Sequence, residues 1–321
     1  MPTWMSDMPA PMKWYFCLNE PGLLGFSEII LAAVHSALKH TSLRPHLIYD
    51  GPKNAITEYL SSIGVSVTYH RASFSELIDR ARRQPGFTPE VARGAYLRLD
   101  IPLIESVDQF VLYTDCDVIF FRDPDIASIR PSVIAAAPEY AQTTTKPVPY
   151  SKVFNSGVMI LNIKELELNR IALIDFACKN DFYFHGDGGF YDQGALNKFF
   201  VDRWTALDQS FNWRPFAAYS QDPKILHFHG VKPYELAYIL RGDAVKCRPI
   251  SRQLFDLQPV AYLNACEAYL THLPPDAERL VSAVSPATPG FIQFGRNRTH
   301  DAINEMRKRI ANCSAPIDKA S

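Results

Sequence analysis

The sequence predicts an α/β protein: a mostly parallel, twisted sheet with helices on both faces, followed by a helical C-terminal extension. Three observations predict it. Apolar runs of strand length alternate with amphipathic segments of helical period as far as Glu235, the pattern of βαβ units. One run, Phe110 to Thr114, is apolar on both faces and so belongs in the middle of a sheet. Beyond Glu235 the strand pattern fades and helical segments remain. The chain is therefore divided into residues 1–235, a catalytic or binding domain, and residues 236–321, a mostly helical extension.

The elements follow in order. Lys13 to Leu18 is a short aromatic strand, with a turn at Asn19-Glu20-Pro21-Gly22. A helix runs from about Ser27 to His40, its apolar face formed by Ile29, Ile30, Ala33, Val34, Ala37 and Leu38. His46 to Tyr49 is a strand, and Asn54 to Ile63 a helix ended by Gly64. Val65 to Tyr69 is a strand. Ser73 and Glu76 form a capping box opening a helix through Arg82. Thr88-Pro89 starts another helix that carries Arg98 towards Pro102. After the central strand, Val133 to Ala137, Gly157 to Ile163 and Lys224 to His229 read as strands. Lys164 to Lys179, Gln193 to Phe200, Ala261 to Leu270 and Asp301 to Ala311 read as helices, with a loose tail near Ala315.

Composition excludes several functions. With 33 basic and 34 acidic residues the net charge is -1, so a nucleic-acid partner is not expected. The six cysteines contain no Cys-x-x-Cys pair and read as reduced thiols. The N-terminus lacks a basic start and apolar stretch, and no run of about 18 apolar residues occurs. Phe26 to Leu38 contains Glu28 and His35 and reads as a core helix. The expectation is a cytoplasmic protein with no transmembrane segment. Arg296, Arg298, Arg307, Lys308 and Arg309 in the extension allow peripheral contact with a membrane surface or an acceptor, or form a solvated helix face.

Five segments could carry chemistry. Asp115-Cys116-Asp117 follows the central strand, where open sheets bind ligands. Residues two apart on an extended backbone point the same way, so the two carboxylates call for a cation; oxygen ligands suit Mg2+ or Mn2+. Leu226-His227-Phe228-His229-Gly230-Val231-Lys232-Pro233-Tyr234 offers an imidazole, which favours Mn2+, and a lysine for a phosphate. Taken alone, its histidines read first as satisfied core or surface residues. Phe154-Asn155-Ser156-Gly157 is a polar turn opening a strand, with Asn155 able to bond a polyol. Tyr191-Asp192-Gln193 is an Asp N-cap or a carboxylate and amide reading sugar hydroxyls. Arg98 is a helix-surface arginine or a ligand-binding one. Gly186-Asp187-Gly188-Gly189 is a flexible loop without the spacing of a phosphate fingerprint.

Together and in this order, Tyr96-Leu97-Arg98-Leu99, Tyr113-Thr114-Asp115-Cys116-Asp117, Phe154-Asn155-Ser156-Gly157, Tyr191-Asp192-Gln193 and His227 to Pro233 resemble glycosyltransferase family 8, from about Lys13 to Tyr234. The resemblance implies a GT-A fold and a retaining hexosyltransferase using a UDP-sugar donor and Mn2+, with Mg2+ as the alternative. It implies Asp115, Asp117 and His227 as metal ligands and Lys232 at the diphosphate. Arg98, Asn155, Asp192 and Gln193 would surround the donor sugar, and Cys17, Leu18 and Asn19 would lie against the uridine. The acceptor implied is a polysaccharide or glycolipid. Asp192 and Gln193 stand nearest to a nucleophile's place, although same-face attack is the expected route. Three departures from the family pattern stand out. Asn19 replaces an acidic residue. One residue fewer separates Gly230 from Lys232. Tyr234 replaces Trp, which leaves His229 as an alternative metal ligand. A metal-dependent phosphohydrolase or nucleotidyltransferase, and a non-catalytic sugar-nucleotide-binding protein, are the rival readings.

Overall fold

The computed structural model describes residues 11–126, 128–140, 149–184, 186, 188–217, 222–285 and 296–314. The tail near Ala315, residues 1–10, Asp187 and the Arg296 side chain of the expectations above lie outside them. The strands are β1 Lys13–Asn19, β2 Arg44–Asp50, β3 Ser66–Tyr69, β4 Phe110–Thr114, β5 Val118–Phe120, β6 Ile134–Tyr140, β7 Pro149–Asn162, β8 Trp204–Ala206 and β9 Ile225–His227. Seven form one sheet in the order β3-β2-β1-β4-β7-β6-β8. β1 to β4 run parallel; β7 runs antiparallel to both β4 and β6, and β8 returns parallel to β6. The expected last strand is not in this sheet. β9 pairs antiparallel with β5 in a separate two-stranded sheet.

Period-two alternation builds two cores. Trp14, Phe16 and Leu18 of β1, Leu112 of β4 and Val158 and Ile160 of β7 enter one. Tyr15, Cys17, Val111, Tyr113, Met159 and Leu161 enter the other. The first core is roofed by helix α1 Glu20–His40 and by α10 Pro259–His272 and α11 Ala277–Val284, which bring in Tyr262, Leu263, Tyr269 and Leu280. The second is closed by α4 Pro89–Tyr96, α6 Ile163–Lys179 and α7 Tyr191–Phe199. Leu31 at the centre of α1 is fully buried, and truncating such a residue to alanine costs about 2–5 kcal/mol. By length and composition α1 could cross a membrane, but Ile29 to Val34 are all buried in this core. The remaining helices are α2 Ala55–Ser62, α3 Ser75–Arg80, α5 Ile101–Ile104, α8 Pro233–Leu240, α9 Pro249–Leu257 and a last one at Arg296–Ser314.

Several expectations change. The turn at residues 19–22 is instead the first turn of α1: Pro21 suits a helix start, and the Asn19 side chain accepts from the Gly22 N–H at 3.1 Å. The helix leaves helical geometry only at Phe26. The capping box at Ser73 does not form, because the buried Asp100 carboxylate takes the Ser73 N–H and hydroxyl along with His70 and Arg170. Asp192 is not an N-cap but lies inside the first turn of α7, after Phe190. Phe154-Asn155-Ser156 is not a turn. It lies within the long β7, opposite a bulge at Pro138 of β6. Cys17, Cys116, Cys178, Cys247 and Cys266 are free thiols.

Candidate active site

Asp115 and Asp117 sit at a junction between the two sheets. The Asp115 N–H continues the β4–β7 ladder, donating to Gly157 O at 2.8 Å. The Asp117 carbonyl accepts from Phe228 N–H at 2.9 Å, on the far side of β9. β9 ends at His227, which therefore meets both carboxylates: its Nε2 lies 3.8 Å from Asp115 Oδ2 and 3.4 Å from Asp117 Oδ1. One donor atom from each of Asp115, Asp117 and His227 lies within 4.8 Å of the others. Among the described residues this is the one such group, and His229 is not in it.

The donor chemistry fits a metal. Asn155 Oδ1 accepts from Gly157 N–H at 3.0 Å and from Asn212 Nδ2 at 2.8 Å. Asn212 therefore turns its oxygen, an acceptor only, to His227 Nδ1 at 2.9 Å. His227 therefore carries a proton on Nδ1, which leaves Nε2 as the ring atom able to serve as a ligand beside the two carboxylates. Three electron-rich groups facing one another in a buried place call for a cation between them. Nitrogen with oxygen donors suits a first-row divalent ion such as Mn2+. Gly157 is needed for this packing, since a Cβ there would stand 2.1 Å from His227 Cε1.

Lys232 reaches the same place from the start of α8. Its Nζ donates to Asp117 Oδ2 and, at 3.2 Å, to Phe228 O. Burial opposes ionisation of Asp117, but the Lys232 ammonium holds its carboxyl well below the usual range. Burial likewise opposes the Lys232 charge, and Asp117 outweighs it to raise the ammonium pKa.

On the other side of Asp115 stands Arg98, 7% exposed, where the chain tightens into a 3-10 turn after α4. It donates to Asp115 Oδ1 at 2.9 Å and to Ser156 O at 3.0 Å, lies 3.0 Å from Asp192 Oδ2, and stacks over the Tyr113 ring at 4.4 Å. Asp192 also accepts from Ser156 Oγ at 3.1 Å. Burial outweighs Arg98 here and raises the Asp192 pKa to about 6. Gln193 Oε1 accepts from Asn155 Nδ2 and Ser156 N–H, both at 3.1 Å.

Asp115, Asp117, Lys232, Arg98, Asp192 and Gln193 line one open cleft of about 470 Å³ with Cys17, Leu18, Asn19, Val91 and Phe190, while His227 and Asn212 stand behind its wall. Asn19 is committed there twice, capping α1 and donating to Glu90 O at 2.6 Å, so its polar atoms tie the cleft wall together. Burial pushes the Cys17 thiol far up and keeps it neutral. His229 lines the same cleft, its imidazole driven by burial down to about 4.

The sequence reading missed Glu139, Asn212 and Arg214. Glu139 accepts from Asn155 Nδ2 at 2.7 Å and pairs with the fully buried Arg214. Burial opposes its charge, yet Arg214 holds it at about 2. The available signal was two polar residues set within the aromatic run Phe211-Asn212-Trp213-Arg214-Pro215-Phe216.

Known proteins resemble this chain in fold and sequence. A glycogenin of Neurospora crassa is 30% identical over 118 residues, a match spanning 37% of this chain and 15% of that protein. The galactosyltransferase LgtC, solved in complex with donor and acceptor sugar analogs, superposes with a TM-score of 0.53 at 16% identity, over 77% of this chain and 96% of that one. The glycosyltransferase GlyE of Streptococcus pneumoniae superposes with a TM-score of 0.51 at 20% identity, over 77% of this chain and 63% of that one. These likenesses give the fold as GT-A. The model of the family "Glycosyl transferase family 8" matches residues 24–235, a span that holds Asp115, Asp117 and His227 as well as Arg98, Asn155, Asp192 and Lys232, and on that match the chain belongs to glycosyltransferase family 8.

Proposed function

We propose that the protein is a retaining hexosyltransferase that moves a hexose from a UDP-sugar to a polysaccharide or glycolipid acceptor with the help of Mn2+. The observation that carries this reading is the meeting of Asp115, Asp117 and His227, of which the two carboxylates line a cleft together with Arg98, Asp192 and Lys232. Residues 1–235 carry the reaction, and residues 236–321 support it. Asp115, Asp117 and His227 would hold a divalent ion, which when bound would supply positive charge to a departing diphosphate. Lys232 adds a second positive charge at that end, once released from Asp117. Arg98, Asn155, Asp192 and Gln193 hold the sugar hydroxyls, each already oriented by the bonds described above. Cys17, Leu18 and Asn19 form the wall for the uridine.

Retention is assigned to same-face attack. Asp192 is a buried carboxylate in the sugar region, but Arg98 and Ser156 hold one of its two oxygens, Oδ2, and burial draws it towards its protonated form. The acceptor hydroxyl's proton then passes to the leaving phosphate oxygen. Isolation of a sugar covalently bound to Asp192 would refute that route.

The test is a screen of UDP-sugars for UDP release with added Mn2+, with Mg2+ and with chelator. The expected result is release for one hexose donor, lost with chelator and restored best by Mn2+. Release indifferent to both chelator and Asp117→Ala would remove the assignment.

A further inference from the structure

We propose that Glu235, Arg248 and Ser251 form a clamp by which the C-terminal extension positions Lys232 for the donor's diphosphate; this rests on the reading of Lys232 given above. The turn Gly230-Val231-Lys232 is short, and it is held at both ends. At its far end the Lys232 N–H donates to Glu235 Oε2 at 3.0 Å. At its near end the Gly230 carbonyl accepts from Arg248 and, at 3.4 Å, from Ser251 Oγ. Glu235, 1% exposed, joins the two ends. It accepts from Arg248 Nε at 2.9 Å, from the Arg248 terminal nitrogen at 2.8 Å and from Ser251 Oγ at 2.8 Å. Between the ends, Val231 is fully buried. Gly230 has φ +91°, and a Cβ there would stand 2.7 Å from Leu254 Cδ1 of the same α9.

Arg248 and Ser251 belong to the first helix of the extension and its cap, and neither lines the cleft. Their bonds fix backbone, not ligand. A lysine stem is flexible, so where its ammonium can reach is set by the direction of its own backbone. With a single residue between Gly230 and Lys232, that direction has no slack to absorb a loosened turn. Glu235, Arg248 and Ser251 are thus positioning residues, and the extension reaches the chemistry through Lys232.

The experiment measures UDP affinity in MnCl2 by calorimetry, on the full chain. The variants are Lys232→Ala, Arg248→Ala, Arg248→Lys and the Lys232→Ala/Arg248→Ala double variant, with thermal midpoints alongside. Arg248 is half-exposed, so its truncation leaves no buried cavity. Arg252→Ala on the same helix, which breaks an exposed pair with Asp256, serves as control and keeps wild-type affinity. Lys232→Ala is expected to weaken UDP about 100-fold and Arg248→Ala about tenfold, with Arg248→Lys between Arg248→Ala and wild type. The double variant should be no weaker than Lys232→Ala alone, because the clamp acts only through that side chain. If Arg248→Ala binds UDP within about twofold of wild type, or its effect multiplies with that of Lys232→Ala, the clamp is overturned while Lys232 keeps its role. If Lys232→Ala itself binds UDP normally, both readings fall.

Discussion

The seven-stranded sheet and the two-stranded sheet contribute to one site in different ways. The large sheet provides a frame: β4 and β7 deliver Asp115, Asn155 and Ser156 from strands that pair along most of their length. The small sheet has three residues per strand, yet it fixes Asp117 and brings His227 across from 110 positions later in the chain. Asp115 is about one-third exposed and shared between Arg98 and Tyr113, whereas Asp117 is 5% exposed and faces Lys232 and His227. The frame therefore tolerates more than the junction does. Asp117→Ala tests this most severely. It leaves the part-buried Lys232 without its carboxylate partner and removes a proposed metal ligand, so turnover should fall at least about 1000-fold, against a smaller loss for Asp115→Asn; steady-state UDP release measures both. Equal losses would show that the two sheets hold the ion alike.

Gly157→Ala attacks the same comparison from the frame's side. The added methyl falls 2.1 Å from His227 Cε1 and 2.8 Å from Nδ1, so β7 must shift or the imidazole must turn off Asn212. Mn2+ affinity should drop about 10- to 100-fold, as when a ligand histidine loses its orienting partner. Overpacking should also cost about 1–3 kcal/mol of stability. Electron paramagnetic resonance titration of free Mn2+ separates the two, because a stability loss alone leaves the affinity of the folded protein intact.

The same contrast governs what could be read from the sequence. β1, β2, β4 and α6 have runs long enough for their period to show, and the structure has them within a few residues of the expected bounds. β5 and β8 are three residues each, too short to carry a period, and went unread. Asp115 and Asp117 stood out in the sequence because they follow an apolar strand, and the family resemblance added His227, which the structure brings beside them. Glu139, Asn212 and Arg214 did not stand out, since their positions beside Asn155 and His227 arise from tertiary pairing rather than local pattern. Asn19 and Ser73 misled for a related reason: a turn signal and a capping signal were redirected by the backbone N–H of Gly22 and by the buried Asp100.

Asp192 gives a pH test of the frame half. Burial raises its pKa to about 6, so its ionised form costs the fold stability above that pH, and the cost is relieved as pH falls towards 4. Glu105 and Glu139, both held at about 2, act in the opposite sense: their contribution is present above the ordinary carboxylate range and lost only as pH falls towards 2. In the proposed reaction it is the ionised Asp192 that pairs with Arg98, so the rate should fall about tenfold per unit below pH 6 while the thermal midpoint holds or rises. A pH–rate profile of kcat/KM checks this, and a flat profile down to pH 5 would detach Asp192 from the reaction.

The smallest effect belongs to Tyr113, whose hydroxyl donates to Asp115 Oδ1 at 3.1 Å beneath the Arg98 guanidinium. Tyr113→Phe keeps the ring under Arg98 and removes one of two donors to that oxygen. Arg98 remains on it at 2.9 Å, so the carboxylate stays oriented. The loss should be about 1 kcal/mol or less, seen as a two- to fivefold rise in the Mn2+ concentration giving half-maximal activity, with kcat nearly unchanged. A loss as large as that for Gly157→Ala would mean that Asp115 depends on its strand neighbour as heavily as His227 depends on Asn212, and the distinction between a tolerant frame and an exacting junction would fail at that residue.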